Sequence, residues 1–163
     1  MFHCNMVLSH HPLLFRGLKQ ITGRTAVERV VIKALQHGVA LYSGHTNVDS
    51  VRQGVSAKMC EKLGLRPLGF LSAKSEDAGL GMIGEFDQAI SEDEFLALVK
   101  KTFACASLRH SAKTGSTIKR VALCGGSGAE FLSTAIAEKA DAYLTADVKY
   151  HEFSAPEGRL LLV

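Results

Sequence analysis

No two of the four cysteines, Cys4, Cys60, Cys105 and Cys124, stand at a C-x-x-C spacing. That excludes a zinc ribbon or a thioredoxin-like dithiol and predicts reduced core thiols. No apolar run reaches the length of a membrane span, and the N-terminus lacks a basic stretch followed by a small-residue cleavage site. The expectation is a cytoplasmic chain with no membrane partner. Charge is also scarce: 21% of the residues carry it, the formal net charge is +3, and the basic residues are scattered apart from Lys119-Arg120. A phosphate backbone finds no continuous stripe to follow, so nucleic acid is not an expected partner. A Walker pattern, a full dinucleotide fingerprint and a low-complexity linker are likewise missing.

What is present is material for a core. The 163 residues are 47% hydrophobic and include eight Phe, enough for one compact unit spanning the chain. A short apolar strand over 5–9 runs into His10-His11-Pro12. Thr25-Ala26-Val27-Glu28 has the form of a capping box, and Val27, Val30, Val31, Ala34 and Leu35 follow at one-face spacing, predicting a helix over 25–36. His37-Gly38 closes it, and a strand over 39–42 leads into Gly44-His45-Thr46-Asn47-Val48-Asp49. A second helix is expected over 50–63, with Val51, Val55, Met59 and Leu63 on one side and Gly64 as its stop. Alternating strands and helices imply parallel pairing, which would bring the loops after both strands to one sheet edge. The glycine-bearing stretch 67–88 suggests an antiparallel flap. Ser91-Glu92-Asp93-Glu94 opens a helix to about residue 106, with Phe95, Leu98, Val99, Thr102 and Phe103 inward. A strand over 118–124, a glycine turn, a helix over 129–139 and strands over 143–145 and 160–163 complete an α/β pattern whose second half repeats the architecture of the first.

The chemistry-bearing residues fall at strand ends. Adjacent His10 and His11, held extended by Pro12, point in different directions and suit two ligands serving neighbouring ions, or else cap backbone groups in a loop. Imidazole with carboxylate suits zinc, iron, manganese or nickel without distinguishing them. His45 and Asp49, four apart, share a helical face if the helix begins near Asn47; Asp49 or Ser50 could equally cap that helix. Gly125-Gly126-Ser127-Gly128 could present backbone N–H groups to an anion, though close helix packing explains the glycines as well. Thr145-Ala146-Asp147 and Lys149-Tyr150-His151-Glu152 close another strand; His151 is a candidate proton donor or substrate contact, or part of a solvated surface turn.

Ser9-His10-His11-Pro12-Leu13-Leu14-Phe15, Gly44-His45-Thr46-Asn47-Val48-Asp49, Val121-Ala122-Leu123-Cys124-Gly125-Gly126-Ser127-Gly128 and Asp147-Val148-Lys149-Tyr150-His151 occur in this order. Together they resemble the NGG-one-interacting-factor-three-like family, many members of which are called GTP cyclohydrolase type-2 homologues. The resemblance runs from about Asn5 to the end of the chain. It implies an α/β fold of two related lobes with mixed sheets, enclosing a dinuclear metal site at strand C-terminal ends, in subunits assembled as a hexameric ring. It implies His10, His11 and Asp49 as metal ligands and two divalent ions per subunit in the complete protein. The remaining family ligands, a His and a bridging Glu, lie in a G-H-x-x-x-E segment expected to follow Leu160-Leu161-Leu162-Val163, and a strand and helix are expected to precede the double His motif. The 163 residues are therefore expected to be a partial domain.

Two functions follow as expectations. One is a metal-dependent hydrolase acting on a small-molecule or nucleotide-like substrate, with His151 or His45 moving protons. The other is a metal-binding regulatory or interaction protein that assembles as a ring and converts nothing.

Overall fold

The computed structural model describes residues 4–163; Met1, where the expected preceding strand and helix would join, lies outside them. The chain divides into two compact units, one up to Val48 and one from Asp49 onward.

In the first unit β1 (Met6–Ser9) and β2 (Ala40–Ser43) pair in parallel, with Met6 opposite Ala40 and Ser9 opposite Ser43. The helix between them, α1 (Ala26–Gln36), begins where the capping box predicts, the Thr25 hydroxyl accepting from the Glu28 amide at 3.2 Å. Glu28 does more than close the box. Its buried carboxylate also accepts from the Thr22 amide (2.8 Å), the Thr22 hydroxyl (2.7 Å) and the Arg24 amide (3.2 Å), which holds its pKa down at about 2. The predicted apolar stripe is only partly covered: Val27, Val31 and Ala34 are half-buried, whereas Val30 and Leu35 are exposed. Two four-residue strands offer too little face to cover an eleven-residue helix.

The second unit corrects several expectations. The single helix over 50–63 is broken: α2 (Thr46–Asp49) straddles the division between the units, Val51 bridges Ala78, and α3 (Val55–Leu63) starts only after Gly54. Val51 is β-branched and takes an extended pairing, while Gly54 supplies the N-cap. Gly64 ends α3 in the left-handed conformation. The stretch expected as a flap does pair antiparallel, but as two of the five strands of the main sheet. Here β3 (Arg66–Ala73) and β4 (Gly79–Ser91) pair antiparallel, and β4 pairs antiparallel with β5 (Thr117–Ser127). Then β6 (Ala142–Ala146) and β7 (Leu161–Leu162) continue the sheet in parallel, in the order β3-β4-β5-β6-β7. Alternation along β5 builds two cores. Val121 and Leu123 face Cys60, Leu63, Phe95 and Val99, while Ala122 and Cys124 face Leu132, Ala135 and Tyr143.

The helix α4 (Glu92–Thr102) has a complete capping box at Ser91 and buries Phe95 edge-on to Phe86 at 6.3 Å. The glycine turn after residue 124 is not a turn: β5 runs through Gly125 and Gly126 to Ser127. The helix expected over 129–139 shrinks to a 3-10 turn, Ala129–Phe131, followed by α5 (Leu132–Ala137). Of the thiols, Cys60 and Cys124 are buried as expected, Cys105 is half-buried, and Cys4 is exposed rather than in the core.

Candidate metal centre

Parallel pairing of β1 and β2 ends both strands at the same edge, and the backbone ladder continues one step past them. The Gly44 amide donates to the Ser9 carbonyl (3.1 Å) and the His45 amide to the His10 carbonyl (2.9 Å). The loops carrying the histidines are thereby stitched together. Two serines tighten the join: the Ser9 hydroxyl donates to the His11 carbonyl at 2.9 Å and lies 3.0 Å from the Ser43 hydroxyl. His45 takes φ 40, a left-handed backbone that non-glycine residues seldom adopt and that recurs at functional sites.

The outcome is a cluster of imidazoles. Ring centres are 4.7 Å apart for His10 and His11, 5.9 Å for His10 and His45, and 5.8 Å for His11 and His45. Phe15 stands edge-on to His45 at 5.9 Å, an apolar wall beside polar rings. His10 and His11 are exposed and His45 is half-buried. Two imidazoles on one tetrahedral ion place their ring centres about 5 Å apart, so this spacing and donor chemistry fit a divalent ion. Among the described residues, no group of three or more His, Cys, Asp or Glu side chains is already arranged to hold one.

The other expected site residues lie in the second unit. Asp49 ends α2 and is half-buried. Its charge and that of Glu130 reinforce burial in pushing the Cys124 thiol up. His151 is exposed in the 3-10 turn Tyr150–Ser154, where its carbonyl accepts from the Ser154 hydroxyl. The glycine segment has no helix N-terminus for an anion, since α5 is six residues long and begins beyond it. Ser43 belongs to no motif in the sequence, and its hydroxyl pairing with Ser9 depends on strand register, which the motif around Ser9 and Phe15 does not reveal.

The family model Duf34/NIF3 (NGG1p interacting factor 3) matches residues 2–163. Proteins called "GTP cyclohydrolase 1 type 2 homolog" are similar: that of Clostridium acetobutylicum is 32% identical over 155 residues, covering 93% of this chain and 58% of its own length. That of Clostridium perfringens is 35% identical over 149 residues, covering 90% and 56%. The "NGG1-interacting factor 3" of Saccharomyces cerevisiae is 30% identical over 165 residues, covering 92% and 57%. A Bacillus cereus protein related to NIF3 shares the fold with a TM-score of 0.87 at 20% identity, over 97% of this chain and 71% of that one. The chain thus spans less than two thirds of the length of these curated relatives.

Proposed function

The chain belongs to the Duf34/NIF3 family, and from that premise we propose that it binds divalent metal through His10, His11 and Asp49 and serves a metal-dependent hydrolase. The substrate class is a small molecule or nucleotide-like compound, and the working protein is a homohexameric ring with two ions per subunit. The observation that carries the reading is the clustering of His10, His11 and His45 within 4.7–5.9 Å at one sheet edge. The names of the clostridial relatives, cyclohydrolase homologues, agree with hydrolytic chemistry. When bound, a divalent ion supplies Lewis acidity toward a phosphoryl, carbonyl or ring carbon.

The chain's own residues do the rest. Ser9 and Ser43 fix the turn that presents His11, and the ladder from His45 to His10 holds the two loops in register. Imidazole is the side chain suited to moving protons near neutral pH, which gives His45 or His151 that role. Phe15 stands edge-on to the His45 ring at 5.9 Å.

A second reading, a metal-binding interaction protein without turnover, draws on the name of the Saccharomyces cerevisiae relative, "NGG1-interacting factor 3". A screen of phosphoesters, nucleotides and cyclic amides with metal-loaded protein, beside pull-downs with and without chelator, separates the two. Turnover that chelator abolishes supports the hydrolase. Chelator-sensitive partners without turnover support the interaction role.

A further inference from the structure

The hairpin joining β3 to β4 is locked at its tip by its own backbone. The Lys74 and Ser75 amides both donate to the Ala78 carbonyl, at 2.8 and 2.9 Å, and the Ser75 hydroxyl accepts from the Ala78 amide at 3.1 Å. Gly79, opposite Ala73, closes the tip where no side chain fits: a Cβ there would stand 2.6 Å from Phe70 Cγ and 2.7 Å from the Ser72 carbonyl oxygen.

Against this tip lies the segment that follows Asp49. The Gly79 amide donates to the Ser50 carbonyl at 3.0 Å, and Val51 pairs antiparallel with Ala78. Arg52 reaches Asp77 at 2.9 Å and Glu76 at 3.7 Å. Each of the three residues after Asp49 is thereby tied to the hairpin, and all of these residues belong to the second unit. The ion pairs are exposed, so they orient the segment more than they stabilise the fold. Asp49 itself is the last residue of α2, a single helical turn. One turn is too short to hold its end by helix propagation, and the hairpin supplies a long-range anchor one residue further on.

We propose that the tip of the β3–β4 hairpin positions Asp49 for metal, with Arg52 and Asp77 as positioning residues, and that bound metal tightens the tip in return. The inference rests on Asp49 being a ligand. A carboxylate already held in place does not have to be ordered when the ion arrives, and ordering one backbone residue weakens binding by about tenfold. Partners that hold metal ligands matter to affinity on a similar scale. Because such coupling is reciprocal, an ion that is held better by an anchored segment also strengthens the anchor.

The test measures zinc affinity by competition with a chromophoric chelator, beside urea denaturation and hydrogen exchange at the Gly79 amide. The proteins are the parent, Arg52→Asp, Asp77→Arg, the double variant that reverses the pair, and Asp49→Ala. Each single reversal is expected to weaken zinc binding by about threefold to tenfold, and the double variant to regain most of the loss. Zinc is expected to slow exchange of the Gly79 amide in the parent and to leave it unchanged in Asp49→Ala. Unaltered zinc affinity in Asp49→Ala removes the ligand on which the proposal rests. Weakened binding in Asp49→Ala, with full affinity in both single reversals or no zinc-dependent protection at Gly79 in the parent, keeps the ligand and overturns the hairpin's role. Reversals that lower the urea midpoint and leave zinc affinity intact give the hairpin a structural role only, and also overturn it.

Discussion

Replacing Gly125 by Ala asks whether the glycine segment at the end of β5 serves packing. A Cβ there would stand 2.7 Å from Val55 Cγ1 and 3.3 Å from Met59 Sδ, both on α3. Carbon contacts settle near 3.5–4.0 Å, so α3 or β5 must give by about 1 Å. Overpacking of this kind costs about 1–3 kcal/mol. Reduced freedom of the unfolded chain returns about 0.4–1 kcal/mol of that, leaving a net loss of about 1–2 kcal/mol. Val55→Ala removes the opposing methyls, so the double variant is expected to recover at least half of the loss, with a coupling of about 1 kcal/mol. Urea denaturation measures it: the midpoint of Gly125→Ala falls by about 0.5–1 M with unchanged slope, and the double variant regains most of the fall. Gly126→Ala is the control, because Gly126 has φ 74 and open space at its Cβ, so its strain is conformational and Val55→Ala leaves it in place. Additive losses at Gly125 and Val55, or a Gly125→Ala protein as stable as the parent, would refute the packing argument.

Two further outcomes follow from the ionisable groups. Glu28 is held at about pKa 2 by hydrogen bonds from Thr22, Thr25 and Arg24, against an ordinary 4.5, so the stability it contributes is complete above about pH 4.5 and is lost as pH falls toward 2. Glu28→Gln is therefore destabilised at pH 6, and the gap from the parent, followed by the protection of the Thr22 and Arg24 amides, closes over that window; a gap constant from pH 6 to 2 contradicts this. At pH 8 a thiol reagent is expected to modify exposed Cys4 rapidly and Cys105 more slowly. Cys60, whose thiol burial pushes up to about 11, and buried Cys124 are expected to react only on unfolding. Fast labelling of Cys60 in the native protein would contradict the buried core.

Local signals in the sequence carried furthest where one side chain decides the structure. Thr25 and Ser91 cap their helices as their T-x-x-E and S-x-x-E patterns predict, because each cap needs only neighbours three residues away. Parallel pairing of β1 with β2 also followed from the strand-helix-strand order, and with it the meeting of His10, His11 and His45. The misses have a common cause in long-range pairing. The bridge from Val51 to Ala78 shortens the helix that periodicity drew from 50 onward. The glycine-rich 67–88 stretch joins the sheet because β4 has partners on both sides, so its many buried backbone groups are paired despite weak strand propensity. Arg109 and Phe153, forty-four residues apart, come together only through the fold, and no motif marks them.

Bound metal per chain, measured by elemental analysis after equilibration with zinc, manganese, iron or nickel and removal of free ion, tests the central claim most directly. The account predicts at least one ion per chain, lost when His10, His11 and Asp49 are all replaced by Ala in a protein whose amide spectrum otherwise persists. Absence of metal, or an equal amount in the triple variant, would reduce the histidine cluster to a structural turn.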